Sequence, residues 1–227
     1  MNQNELKKQA ADYAVTNYIK SGMIVGLGAG STSLFALKKI SELISKGELK
    51  NILGIPSSLQ TEREAVKLNI PLTTLEEHNV IDVTIDGADE TDPQKNLIKG
   101  GGGAMLREKV LAQASRQEII IIDESKYSET LGTKFPVPVE VIPFAVTVEK
   151  IFLESLGAKV QIRIPINKDK FITDDGNNIL DCDFGPIKDP RKLSALLNER
   201  AGIVEHGIFI DLCTHAVIAG KNGIRVI

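Results

Sequence analysis

Apolar positions along the chain recur with two periods, and the switches between them outline the elements. Over residues 4–20, Leu6, Ala10, Tyr13, Ala14, Asn17 and Tyr18 repeat at helical spacing. Met23-Ile24-Val25-Gly26 then reads as a short buried strand, followed by a glycine turn and an apolar-periodic helix from about Ser33 to Ser45. Asn51–Ile55 predicts a second strand and 58–68 a second crossover helix, with a further extended segment from Pro71. A strand at 80–86, a helix at 104–114 and the run Glu118–Asp123, apolar enough to be buried on both faces, continue the alternation. Strands alternating with helices predict a mostly parallel, Rossmann-like sheet.

The texture changes near residue 127. Pro136, Pro138 and Pro143 punctuate a strand at Val137–Ile142. After it come a helix at about 147–156, a strand at 158–164, and a hairpin. The hairpin runs from Phe171-Ile172-Thr173 through Asp174–Asn177 to Ile179–Cys182. A helix at about 190–200 and Ile203-Val204 complete the order β-α-β-β-α-β, the ferredoxin-like pattern. The fold class predicted is therefore α/β: a Rossmann-like domain, 1–128 plus 206–227, carrying an inserted ferredoxin-like α+β domain at 129–205. The tail segments 207–210, 216–220 and 224–227 read as short strands returning to the first domain. Val137, Val139, Val141, Ile162 and Ile164 give the insert two apolar sheet faces, more than its helices need cover, which predicts a homo-oligomer.

Two stretches carry the candidate chemistry. After the first strand, Gly26, Gly28 and Gly30 alternate ahead of Ser31 and Thr32. The third glycine of the dinucleotide fingerprint is missing, and no acidic residue ends the second strand, so a small phosphate suits this turn better than a nicotinamide cofactor. Free N–H groups at a helix start, with two hydroxyls, can cradle an anion, the dipole contributing about 0.3–1 kcal/mol. Ser31 or Thr32 could equally be a plain N-cap. The second stretch is Asp86–Lys109. Asp86, Asp89 and Glu90 place three carboxylates in five residues at a strand end, where burial is costly. Lys99 and the four glycines Gly100–Gly103 follow. Four glycines raise the cost of ordering a loop and let backbone approach a ligand. The chain turns helical at Ala104, and Glu108, in the first turns, should lean back toward the loop and Lys99.

Asp-Gly-Ala-Asp-Glu at 86–90, Lys-Gly-Gly-Gly ten residues after the second Asp, and Arg-Glu-Lys at 107–109 together resemble the ribose-5-phosphate isomerases of the A type, and the resemblance extends over the whole chain. It implies interconversion of ribose 5-phosphate and ribulose 5-phosphate through an enediolate, in the non-oxidative pentose phosphate pathway. In that reading Glu108 is the base, Asp86 assists ring opening, and Lys99 with the amides of Gly100, Gly101 and Gly102 stabilises the oxyanion. Asp86, Gly87, Ala88 and Asp89 meet the sugar. Ala29, Gly30, Ser31 and Thr32 hold the phosphate, helped by Lys126, beyond the end of a strand, and by Lys7. The family usually has threonine where this chain has Ala29, which removes one hydroxyl contact and leaves the backbone cradle. No cofactor or metal is implied, and a dimer or tetramer in the cytoplasm is.

Composition fits this and narrows the rivals. The 227 residues are 42% hydrophobic and 25% charged, with a net charge of −3 and no basic patch, which argues against a nucleic-acid binder. No signal peptide or membrane-spanning run is read. Cys182 and Cys213 form no ligand-spaced pair and suit a reducing compartment. His78, His206 and His215 lack zinc spacing, so each reads as a surface or core residue. One alternative is an amino-sugar-phosphate isomerase/deaminase, which would suit a histidine near the sugar; residues 86–109 contain none. The other is a non-catalytic sugar-phosphate sensor, which would need the cradle but not Lys99 and Glu108.

Overall fold

The computed structural model describes residues 2–164 and 171–227. In chain order these form α1 (Gln3–Tyr18), β1 (Ile24–Leu27), α2 (Gly30–Ser45), β2 (Leu53–Pro56), α3 (Leu59–Lys67), β3 (Val83–Gly87), β4 (Glu90–Thr91), β5 (Leu97–Ile98), α4 (Met105–Ala114) and β6 (Glu118–Asp123). Then come β7 (Val137–Val141), α5 (Val146–Ser155), β8 (Lys159–Ile162), β9 (Asn178–Asp183), α6 (Pro190–Asn198), β10 (Ile203–His206), β11 (Ile208–Phe209), β12 (His215–Gly220) and β13 (Gly223–Val226). The chain divides into two compact units, one of Met1–Ala88, Arg107–Tyr127 and Asp211–Ile227, the other of Asp89–Leu106 and Ser128–Ile210.

The first unit is built on one sheet in the order β13-β12-β6-β3-β1-β2, parallel except for the edge hairpin β12–β13. β6 is buried at every position, the cause of its unbroken apolar run. α1 starts at a capping box, Asn2 and Glu5 exchanging side-chain and backbone bonds, and packs Ala10, Ala11, Ala14 and Val15 into the main core. The chain runs from β1 outward to β2 and then crosses back, so that β3 lies on the other side of β1. Such a reversal opens a crevice at the carboxyl ends of the two strands.

The glycines of β1 have a packing cause. In the β1–β3 register Gly26 faces Thr84, and a Cβ on Gly26 would lie 1.8 Å from Thr84 Oγ1. A Cβ on Gly28 would lie 2.1 Å from Asp86 Oδ1. The two-residue spacing therefore follows the pleat of a strand pair: the absent side chains make room for Thr84 and Asp86.

The second unit contains the antiparallel sheet β10-β7-β9-β8, with α5 and α6 as its crossovers, which is the ferredoxin-like arrangement. It also contains a small sheet, β11-β5-β4. The segment 207–210 supplies β11, which pairs with β5, and the Gly207 carbonyl accepts from the Lys99 N–H at 2.8 Å. Val137, Val139 and Val141 are fully buried core residues among Leu153, Leu180 and Leu197, and so offer no open face. Ile162 and Ile164 are exposed, and so are Phe144, Val148, Ile151 and Ile172. Phe171–Thr173 forms no strand. The turn after it is closed by the Thr173 N–H donating to Asn177 O at 2.9 Å, with Gly176 at φ +85°.

Candidate active site

In the first unit, the carboxyl ends of the neighbouring strands β1, β3 and β6 carry the predicted phosphate and sugar contacts. α2 begins at Gly30, not near Ser33. Its N-cap position is Ala29, which makes no side-chain capping bond. Neither Ser31 nor Thr32 caps the helix; both lie in its first turn. The N–H groups there are donors that a capping side chain would otherwise occupy. Gly30 has φ +89° and open space where a Cβ would stand. Lys7 Nζ donates to Ser31 Oγ at 3.0 Å, so α1 brings an ammonium to the same turn. A helix start, a hydroxyl and a cation in one place are the features that suit an anion.

Asp86 holds this turn in shape. It is 1% exposed, and its Oδ1 accepts from Ala29 N–H (3.1 Å), Ser33 Oγ (3.0 Å) and Gly87 N–H (2.7 Å). Ser33 Oγ in turn accepts from Gly87 N–H at 3.1 Å. Oδ1 is thus committed to this turn. Ser33 escaped the sequence reading, since one serine among Gly30-Ser31-Thr32-Ser33 carries no separate signal. Gly87 ends β3 and Ala88 follows it, both half-buried. Lys126 ends the 3₁₀ turn that follows β6, half-buried. Glu108 lies in the first turn of α4 and is 6% exposed. A carboxylate so withdrawn from water is not a solvated surface residue.

The second unit holds the remaining predicted residues, Asp89, Lys99 and Gly100–Gly102. Asp89 Oδ2 accepts from Gly101 N–H at 2.7 Å, and a Cβ on Gly101 would strike that carboxylate. The loop Gly100–Gly103 is a turn closed by Gly103 N–H to Gly100 O at 2.9 Å, with φ +100° at Gly100 and +82° at Gly103. Of the amides expected to face an oxyanion, that of Gly101 is therefore committed to Asp89. The Gly102 N–H has no hydrogen-bond partner among the described residues, and the space beside Gly102 is open. Lys99 is 2% exposed, its Nζ 5.6 Å from the centre of the Phe209 ring supplied by β11. Glu90 differs from its neighbours. Fully buried, its two oxygens accept from the N–H groups of Gly132, Thr133, Lys134 and Phe135 at 3.0–3.3 Å. Backbone donors are what make a buried carboxylate at this strand end tolerable.

The family description Ribose 5-phosphate isomerase A (phosphoriboisomerase A) matches residues 53–223. The chain belongs to that family. It is 58% identical to ribose-5-phosphate isomerase A of Desulfatibacillum aliphaticivorans over 98% of this chain and 96% of that protein. It is 49% identical to the enzyme of that name from Chloroflexus aurantiacus over 97% and 92%. Among solved structures, a D-ribose-5-phosphate isomerase in complex with phospho-erythronic acid superposes with a TM-score of 0.97 at 39% identity, covering 100% of this chain and 99% of that one. The enzyme of Methanocaldococcus jannaschii gives 0.93 at 38% identity, covering 98% of each. This isomerase interconverts ribose 5-phosphate and ribulose 5-phosphate.

Proposed function

We propose that Glu108 moves the proton in this isomerisation. In the open-chain aldose, the C2–H bond breaks, the Glu108 carboxylate takes the proton, and the electron pair forms the C1–C2 double bond of an enediolate with its charge on O1. The same carboxyl returns the proton to C1, while the O2 proton passes to O1 and C2 becomes the carbonyl. Atoms balance and no redox partner is needed. Lys99 and the Gly102 N–H stabilise the oxyanion. Asp86 Oδ2 assists ring opening, Asp89 with Gly87 and Ala88 meets the sugar hydroxyls, and Gly100 and Gly101 shape the loop. Ala29 to Thr32, Lys7 and Lys126 hold the phosphate, whose binding energy positions the reacting carbons.

The observation that carries this reading is the burial of Glu108 in the first turn of α4. In Glu108→Gln the shape stays and the basic oxygen is lost. We expect kcat to fall about 10²–10⁴-fold with KM changed little and melting within a few degrees, while Glu48→Gln, at an exposed site, stays at wild type. Near-wild-type kcat in Glu108→Gln would remove Glu108 from the chemistry.

The proposal extends to setting and assembly. Cys182 and Cys213 are buried and form no disulfide among the described residues, which supports a reducing, cytoplasmic environment. Among the described residues no helix is long and apolar enough to cross a membrane. Phe144, Val148 and Ile151, 97%, 58% and 62% exposed along one side of α5 and the turn before it, support a homo-oligomer joined through the second unit. A net charge of −3 without a basic stripe speaks against nucleic acid as a partner.

A further inference from the structure

We propose that Arg163 is a positioning residue for catalysis: its guanidinium clamps the glycine loop so that the Gly102 N–H is presented to the developing oxyanion. The inference rests on the role given above to that loop. Arg163 follows β8, more than sixty residues from the loop in sequence. Its Nη1 donates to Gly100 O at 2.8 Å and to Gly101 O at 3.1 Å. The other edge of the fork is held by Asp181 of β9, which accepts from Nε at 2.9 Å and from Nη2. The ring of Phe171 lies 5.5 Å from the guanidinium and fills the space beside Gly103, where a Cβ would come within 2.4 Å of it. The side chain is only 13% exposed, so the position is fixed on every side.

What this does to the loop follows from peptide geometry. In a trans peptide the C=O and N–H point in opposite directions, and no cis bond occurs among the described residues. The Gly100–Gly101 peptide has its oxygen on Arg163 and its N–H on Asp89, so its plane is clamped from both sides. The Gly101–Gly102 peptide also turns its oxygen to Arg163, which directs the Gly102 N–H away from the arginine. Four glycines in a row would otherwise sample many orientations, and a donor that must reorganise during the reaction contributes little to it. A cation on the two carbonyls also polarises both peptides and strengthens their N–H groups as donors. Lysine could supply the charge, but not the fork that spans the loop carbonyls and Asp181 together.

The test compares Arg163→Ala and Arg163→Lys with wild type. Measured are kcat and KM for ribose 5-phosphate, inhibition by phospho-erythronic acid as a charged mimic of the enediolate, thermal melting, and amide exchange in peptides covering 99–105. We expect kcat in Arg163→Ala to fall about 10–100-fold with KM within threefold, the mimic to weaken by a similar factor, and exchange of the loop amides to rise at least tenfold. Arg163→Lys should fall between the two, and millimolar guanidinium should restore part of the Arg163→Ala rate. Unchanged exchange would overturn the clamp. Faster exchange with wild-type kcat would overturn its catalytic purpose, as would a parallel rise in KM that accounts for the whole loss. If Arg163→Ala fails to fold, Arg163→Lys decides by the same criteria. Failure of the base assignment shows elsewhere, as wild-type kcat in Glu108→Gln, and leaves exchange and mimic binding to judge Arg163.

Discussion

The buried carboxylate of Glu90 offers the sharpest test of how the Asp86–Glu90 motif is divided. Replacing it by glutamine keeps size and hydrophobicity nearly constant but turns one acceptor oxygen into a donor. Gly132 and Phe135 share Oε2 at 3.0 and 3.1 Å; Thr133 and Lys134 share Oε1 at 3.2 Å each. Whichever way the amide turns, backbone N–H groups then face an NH₂ group in a buried site, two of them, Gly132 and Phe135, when it takes the place of Oε2. Hydrogen bonds to a charged group contribute about 1.5–3 kcal/mol each, so the loss is about 3–6 kcal/mol. At about 2–4 °C per kcal/mol for a chain of this size, melting should fall by about 6–24 °C. The assay is a urea or thermal melt followed by circular dichroism, with kcat measured at a temperature where the variant is fully folded. Because all of Glu90's oxygen capacity goes to the 132–135 backbone, that kcat should stay within about twofold of wild type. A destabilisation under 1 kcal/mol would refute the energetic reasoning. A large drop in kcat with the melt unchanged would move Glu90 into the chemistry.

Glu140, buried in β7, receives Thr173 Oγ1 and Asn177 Nδ2 on Oε1, while Oε2 has no hydrogen-bond partner among the described residues. Burial first, then Asp175 and Glu205, push its carboxyl above the ordinary value of 4.5, against the two hydrogen bonds. The folded state therefore holds this proton more tightly than the unfolded state, and stability falls as pH rises through the window beginning near 4.5. Glu140→Gln lacks that slope, so its melting temperature should exceed wild type most at pH 8 and least near pH 4; a difference constant with pH would sink the argument. For assembly, sedimentation at micromolar concentration should give a dimer or larger species that Phe144→Glu shifts toward monomer, and a monomeric wild type would end that proposal.

Long, strongly periodic segments were legible in the sequence because one face of each is buried: α1, α3, β6 and the whole β-α-β-β-α-β order of the second unit are where the pattern puts them. β4 and β5 were not, since two-residue strands are too short to show a period. The alternation of Gly26 and Gly28 was visible, but its cause lies on another strand, in Thr84 and Asp86. Glycine, serine and threonine give a weak helical signal, so α2 seemed to start three residues late. Of the site, the acidic motif, Lys99, the glycine loop and Glu108 stood out by local density. Arg163, Ser33 and Phe209 did not, because each acts on residues distant in sequence and nothing near it marks the role.

The density of carboxylates at 86–90 suggested ligand groups, yet each acidic side chain there holds backbone. Asp86 fixes Ala29 and Gly87 in the first unit; Asp89 fixes Gly101, and Glu90 the 132–135 loop, in the second. Strand ends present few complementary side chains but many unpaired N–H groups, and an ionised carboxylate is their strongest acceptor. This has a consequence for reading mutants. Asp86→Asn would loosen the phosphate cradle as well as any ring opening, so KM and kcat would change together. Asp89→Asn would release Gly101 and, with it, one side of the peptide that Arg163 clamps. Neither substitution isolates a chemical step. Glu108→Gln, by contrast, leaves the cradle bonds of Asp86 and the loop bond of Asp89 in place. An effect there on kcat alone separates proton transfer from the scaffold that positions it.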